Sequence, residues 1–172
     1  DDFMFNAPNL IEGRELFLGN AGGIAVDTRS DPPHLYVADT YNNRVLGFRD
    51  VRKVTAGSRA DLVIGQPDFR RSIANYKTLD PSNSRDTPTP SSLYLPVGLT
   101  LDSAGNLWVA DAGNGRVLRF SRPFEQGNFP NADLVIGQGG FGERILDLPS
   151  RSRMSAPYGL AFDAEFGLFV KP

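Results

Sequence analysis

The 172-residue chain has no cysteine and one histidine, His34. Disulfides, thiolate-bound zinc and thiol nucleophiles are therefore excluded together. A histidine-cluster metal site or a Ser-His-Asp triad has almost no ring nitrogens to draw on. Long apolar runs are missing as well. No stretch approaches the ~18 consecutive apolar residues of a membrane-spanning helix, and none near the N-terminus reads as a signal sequence. Lysine is scarce: three of the 18 bases are Lys and the other 15 are Arg. With 20 acidic residues the formal net charge is −2, which gives nucleic acid or an anionic membrane no overall attraction. Between Arg44 and Lys77, however, eight bases face three acids. A sustained 3.6-residue apolar period is also absent, and with it long amphipathic helices.

What is abundant is punctuation. Eighteen Gly and 13 Pro separate short apolar runs, the pattern of an all-β protein. The runs repeat. Gly23-Ile24-Ala25-Val26-Asp27 returns as Gly98-Leu99-Thr100-Leu101-Asp102 and as Gly159-Leu160-Ala161-Phe162-Asp163. Leu35-Tyr36-Val37-Ala38-Asp39 returns as Leu107-Trp108-Val109-Ala110-Asp111, and Arg44-Val45-Leu46-Gly47-Phe48 as Arg116-Val117-Leu118-Arg119-Phe120. Ala60 to Gln66 recurs letter for letter as Ala132 to Gln138. The last three pairs share an offset of 72 residues, and length varies only between them. Asp27 to Val37 is ten residues where Asp102 to Val109 is seven, so the first hairpin is longer around Ser30–Pro33. Each unit reads as four short strands, a to d, and a four-stranded meander in tandem is a β-propeller blade. Strands are expected near 23–27, 35–39, 44–49, 61–65, 98–102, 107–111, 116–120, 133–137 and 159–163.

These segments resemble the NHL repeat family of β-propellers. The resemblance is carried by Pro96-Val97-Gly98-Leu99-Thr100-Leu101-Asp102, the Gly105-Asn106 turn, Leu107-Trp108-Val109-Ala110-Asp111 and Asn114-Gly115-Arg116-Val117 through Phe120. The first unit has Ala21 in place of the leading Pro; the third has Pro157-Tyr158-Gly159 and Phe162-Asp163, with Lys171-Pro172 where Ala-Asp would stand. Units fall at about 18–66, 93–138 and 154–172. Two and a fraction units do not close a ring of four to eight blades. The chain is thus expected to be a partial propeller, 1–172, from a larger protein, with a six-bladed ring as the reference.

The repeated polar residues admit two readings. Asp39 with Arg44, and Asp111 with Arg116, are brought together by the b–c hairpin. Recurrence in both units favours a structural pair that fixes the turn over polar groups facing a ligand. Asp27, Asp102 and Asp163 read as turn caps rather than a calcium ring. The glycine-rich run 137–142 is followed by no helix and is not read as a phosphate loop. His34 reads as a surface turn residue. No cofactor or metal is implied.

Loops of an antiparallel meander alternate between the two ends of the strands. The b–c loops and the connections to the next unit therefore share one face. That face receives Tyr41, the segment 67–95 with Arg70, Arg71 and Tyr76, and the segment 139–156 with Arg144. Loops on a rigid β scaffold carry binding, and an exposed aromatic is a good anchor. Tyr41, Arg70, Arg71, Tyr76 and Arg144 are the candidate contact residues. The functional expectation is a non-catalytic recognition or scaffold module of a bacterial, secreted or surface-exposed protein, extracellular or periplasmic, with a protein or carbohydrate partner. The resemblance also offers an enzymatic alternative, a lyase or calcium-dependent lactonase whose site lies mostly in other blades, and an RNA-binding one, which the acidic balance opposes.

Overall fold

The computed structural model describes residues 16, 18–19, 22–77, 87–146, 148–163 and 167–171. Two four-stranded antiparallel sheets run in simple order. β1 (Ile24–Asp27), β2 (His34–Asp39), β3 (Arg44–Phe48) and β4 (Leu62–Ile64) form the first; β5 (Pro96–Leu101), β6 (Leu107–Asp111), β7 (Arg116–Phe120) and β8 (Leu134–Ile136) form the second. A hairpin of β9 (Gly159–Asp163) and β10 (Gly167–Lys171) begins a third. The only α-helix among the described residues is one turn, α1 (Pro123–Gln126). The observed strands match the expected ones within two residues at each end. β10 adds a strand where Phe169-Val170 align with Trp108-Val109.

Alternation along the strands decides how the sheets stack. Tyr36, Ala38, Val45, Leu62 and Ile64 point from the first sheet to one side, and Leu99, Leu107, Val109, Leu118 and Phe120 of the second meet them in one buried core. The other side of the first sheet gathers Val37, Leu46, Phe48 and Val63, against which Leu16 and Leu18 pack. Trp108 meets the third unit edge-on at Phe162, 5.5 Å between ring centroids. A strand buried on both faces reads as a near-continuous apolar run, as Leu-Val-Ile does in β4; the same three residues in β8 are half-buried.

The inner strands explain the leading glycine of each unit. A Cβ on Gly23 would sit 2.3 Å from the Val97 carbonyl oxygen, and one on Gly98 would sit 2.2 Å from that of Tyr158. Val97 and Tyr158 are the residues just before the next glycine, so the motif propagates: each unit's glycine makes room for the backbone of its successor. The Gly23 N–H donates to Val97 O at 2.8 Å.

Each b–c connection is a 3-10 turn, Thr40–Asn42 or Ala112–Asn114. It closes through a left-handed residue, Asn43 (φ 53°) or Gly115 (φ 61°), the two types that reach this region at least cost. The outer edge of the first sheet is also engaged. Val63 donates to Asn128 Oδ1 at 3.0 Å and accepts from Phe129 N at 2.9 Å, so the segment after α1 lies against β4.

Candidate functional site

The b–c turns are built on buried charge. Arg44 Nε donates to Asp39 Oδ2 at 2.7 Å, with side chains 2% and 0% exposed; Arg116 Nε donates to Asp111 Oδ2 at 2.8 Å, both 0% exposed. Such pairs persist only when the remaining polar atoms are also bonded. Asn42 donates to both Asp39 oxygens at 3.1 Å. Asp111 accepts from Asn114 Nδ2 at 2.7 Å and from the Tyr94 N–H at 2.7 Å. Burial pushes the Asp111 carboxyl up, and Arg116 with these hydrogen bonds acts against it.

The guanidinium groups then reach the connection to the next unit. Arg44 Nη1 donates to Phe69 O at 2.5 Å, and Arg116 Nη1 to Phe141 O at 2.6 Å. Arg116 Nη2 adds Thr89 O and Ser92 O at 3.1 and 2.9 Å. A second clamp works beside it. Gln66 Nε2 donates to Asn43 O (3.0 Å) and Ile73 O (2.8 Å), and Gln138 Nε2 to Gly115 O (3.0 Å) and Ile145 O (3.0 Å). Every atom of the second set lies 72 residues after its counterpart. The start of each connection is therefore part of the repeat. Phe69/Phe141 and Ile73/Ile145 were the available signal, hidden because the residues between them differ.

The five candidate contact residues are not one cluster. Arg71 donates to Asp68 Oδ2 and to the Tyr76 hydroxyl, both at 3.1 Å, and lies over the Tyr76 ring. Tyr76 packs edge-on against Phe129, beside the outer strand β4. The Arg70 side chain is exposed, and its N–H donates to Asp68 Oδ1 at 2.8 Å. Arg144 Nε donates to Gly113 O at 2.8 Å and its guanidinium covers the Tyr94 ring. Arg144 thus holds the second b–c turn from behind.

Tyr41 stands at the inner end of this face. It is 46% exposed and lines a cleft of about 300 Å³ with Thr40, Leu95, Val97, Gly113 and Tyr158. Tyr158, 53% exposed, precedes β9 and was missed in the sequence because its place in the motif is variable. Thr40 is 5% exposed, yet its hydroxyl finds no partner among the described residues. A buried unpaired hydroxyl is costly, so its position on the cleft wall is notable. Among the described residues no group of three His, Cys, Asp or Glu is placed to hold a metal ion.

Four-stranded meanders stacked face to face, their inner strands meeting glycine against carbonyl, are blades of a β-propeller. Residues 93–120 match the NHL repeat model, so the chain carries an NHL repeat in its second unit. Among solved structures, a luciferin-regenerating enzyme is similar at 19% identity and a TM-score of 0.46, over 87% of this chain and 36% of that one. The chain thus spans about a third of that protein's length. No curated protein sequence matches it.

Proposed function

We propose that this chain is a non-catalytic recognition module of a larger, secreted or surface-exposed bacterial protein, and that a protein or carbohydrate partner docks on the b–c face at the cleft between Tyr41 and Tyr158. The observation that carries this reading is the pair of half-exposed tyrosines, from the first and third units, on one cleft whose floor is supplied by the second unit. Tyrosine offers a large amphipathic surface at small ordering cost, and a fixed scaffold limits the entropy lost on binding. The strand-end carboxylates Asp39 and Asp111 are already committed to Arg and Asn side chains, and Asp111 also to the Tyr94 N–H, which supports recognition over catalysis.

The test is a screen of the whole chain against immobilised peptide and glycan libraries, repeated with Tyr41→Ala and Tyr158→Ala. Binding that falls at least about tenfold in both variants, with unchanged melting temperature, supports the proposal; each 1.4 kcal/mol lost is tenfold in affinity. Binding unaffected by both substitutions, or metal-dependent turnover of lactone substrates by the purified chain, overturns it.

A further inference from the structure

The tandem units act as controls for one another, and on the opposite face they differ. In the second unit the strand-end carboxylate is saturated. Asp102 Oδ1 accepts from Ala104 N (2.9 Å) and Asn106 N (3.0 Å); Oδ2 accepts from Asn106 Nδ2 (2.9 Å) and Trp108 Nε1 (3.0 Å). In the first unit the same places hold Asp27 and Tyr36. Here Arg29 donates its N–H and, at 3.5 Å, Nη1 to Asp27 Oδ1. The Asp27 Oδ2 atom accepts nothing from the described residues, although the side chain is 9% exposed. Neither the Tyr36 hydroxyl nor the ring nitrogens of His34 have a hydrogen-bond partner among the described residues. The three-residue-longer hairpin accounts for the difference: it folds one turn amide, that of Arg29, onto Asp27, where the second unit folds two onto Asp102 and adds a side-chain amide.

These unpartnered groups line one cavity of about 280 Å³ between the first two units, with Ser103, Arg122 and Phe124 on the other side. Phe124 supplies an apolar wall: its ring lies 4.2 Å from that of His34 and 5.6 Å from that of Tyr36, and the Arg49 guanidinium sits over it at 4.8 Å. The structure differs here from the sequence reading of His34, which is half-buried at the start of β2 rather than on the surface. Burial lowers the His34 pKa, so the imidazole is neutral at pH 7 and offers one donor and one acceptor. Burial and the nearby Asp27 charge raise that of Tyr36, whose hydroxyl keeps its proton. Arg122 reaches the rim from a left-handed backbone (φ 34°), a strained position for a long side chain.

We infer that this cavity binds a small neutral polyhydroxylated ligand of the hexose class. A carboxylate oxygen, a phenol and a neutral imidazole match adjacent hydroxyls, each of which donates and accepts. The Phe124 wall suits the C–H face of a pyranose ring. Charge gives the alternatives no advantage: at the mouth Arg29 is paired with Asp27 and Arg122 with Glu125, so neither an organic cation nor an anion meets a net opposite charge there. The volume lies at the lower end for ligand pockets, about 300 Å³ upward, which fits one ring rather than a chain. The inference is independent of the Tyr41–Tyr158 cleft.

The experiment is NMR titration of the whole chain with glucose, galactose, mannose and myo-inositol, each to about 50 mM, since single-ring ligands with few contacts bind near the millimolar level. Acetate and choline serve as charged controls. The expected result is saturable shifts at residues 27–36 and 122–125 with at least one hexose. Tyr36→Phe, which removes one oxygen, should weaken that binding about tenfold, and Tyr36→Trp should abolish it by closing Asp27 as Trp108 closes Asp102. Tyr41→Ala should leave it unchanged. No saturable shift with any hexose or inositol overturns the inference, as do shifts with acetate or choline alone or unchanged binding in a folded Tyr36→Trp variant.

Discussion

The side-chain amides of Asn75 and Asn114 face each other across the first two blades, each Nδ2 donating to the other's Oδ1 at 2.8 Å. Asn75 belongs to the connection leaving the first blade, and Asn114 to the b–c turn of the second. Both are buried, and Asn114 also donates to Asp111, so the pair joins one blade's connection to the next blade's charged centre. Removing either partner takes a donor and an acceptor from the facing buried amide, at about 1–3 kcal/mol. Asn75→Ala and Asn114→Ala should each destabilise by that amount, and the double variant by clearly less than the sum. Urea unfolding of the four proteins checks this; strict additivity would show that the two amides act separately.

Arg116→Ala is expected to cost about 3–5 kcal/mol, because the buried Asp111 carboxyl loses its counter-charge. Arg119 provides the contrast. It bonds Asp133 at 2.8 Å, but the two side chains are 30% and 44% exposed. Its replacement by Ala should cost less than about 1 kcal/mol, the range of solvated pairs. Equal losses of melting temperature would show that burial does not distinguish the two arginines.

Gly98→Ala forces a Cβ to within 2.2 Å of Tyr158 O, a backbone atom that cannot swing aside. We expect a loss of about 1–3 kcal/mol or more. A Cβ on Gly140 meets nothing within 4 Å, and Gly140→Ala should be near neutral. Thermal unfolding of both variants separates crowding from the general entropy effect of replacing glycine.

The lone histidine gives a direct reading of pH. Its pKa is lowered from 6.5, chiefly by burial. The unfolded chain therefore binds the proton more readily than the folded one. Stability is full above 6.5 and declines as the pH falls through that value towards the folded pKa. The His34 ring proton should titrate with a midpoint below 6.5, and His34→Phe should flatten the stability profile between pH 7 and 5. A midpoint at or above 6.5 would contradict the burial described for this ring.

The strands were legible because the same short apolar run recurs in each unit, as Leu62–Ile64 does at Leu134–Ile136, whether the strand is fully buried as in the first unit or half-buried as in the second. The Asp–Arg proximity was legible too, since hairpin register alone places Asp39 opposite Arg44 and Asp111 opposite Arg116. The glutamine clamps were not, because Gln66 and Gln138 act on carbonyl oxygens, and the recurrence of Ile73 at Ile145 does not by itself say that its carbonyl is bound. The distribution of the exposed candidates was equally hidden. Whether Tyr76 turns to Phe129 or towards Tyr41 depends on the path of residues 67–77, which local propensity does not set. The cavity at Asp27 had a visible sign, the longer first hairpin, but its meaning required knowing which bonds that hairpin gives up.

The contact of Asn128 and Phe129 with Val63 has a consequence for association between molecules. β4 is only three residues long, so Val63 is the position at which its backbone N–H and C=O point outward, and both are already taken. An incoming extended segment finds no open rung on β4 and would have to displace Phe129 to gain one. The chain thus blocks strand addition with its own following blade, where many sheets rely on charged or proline-bearing edges.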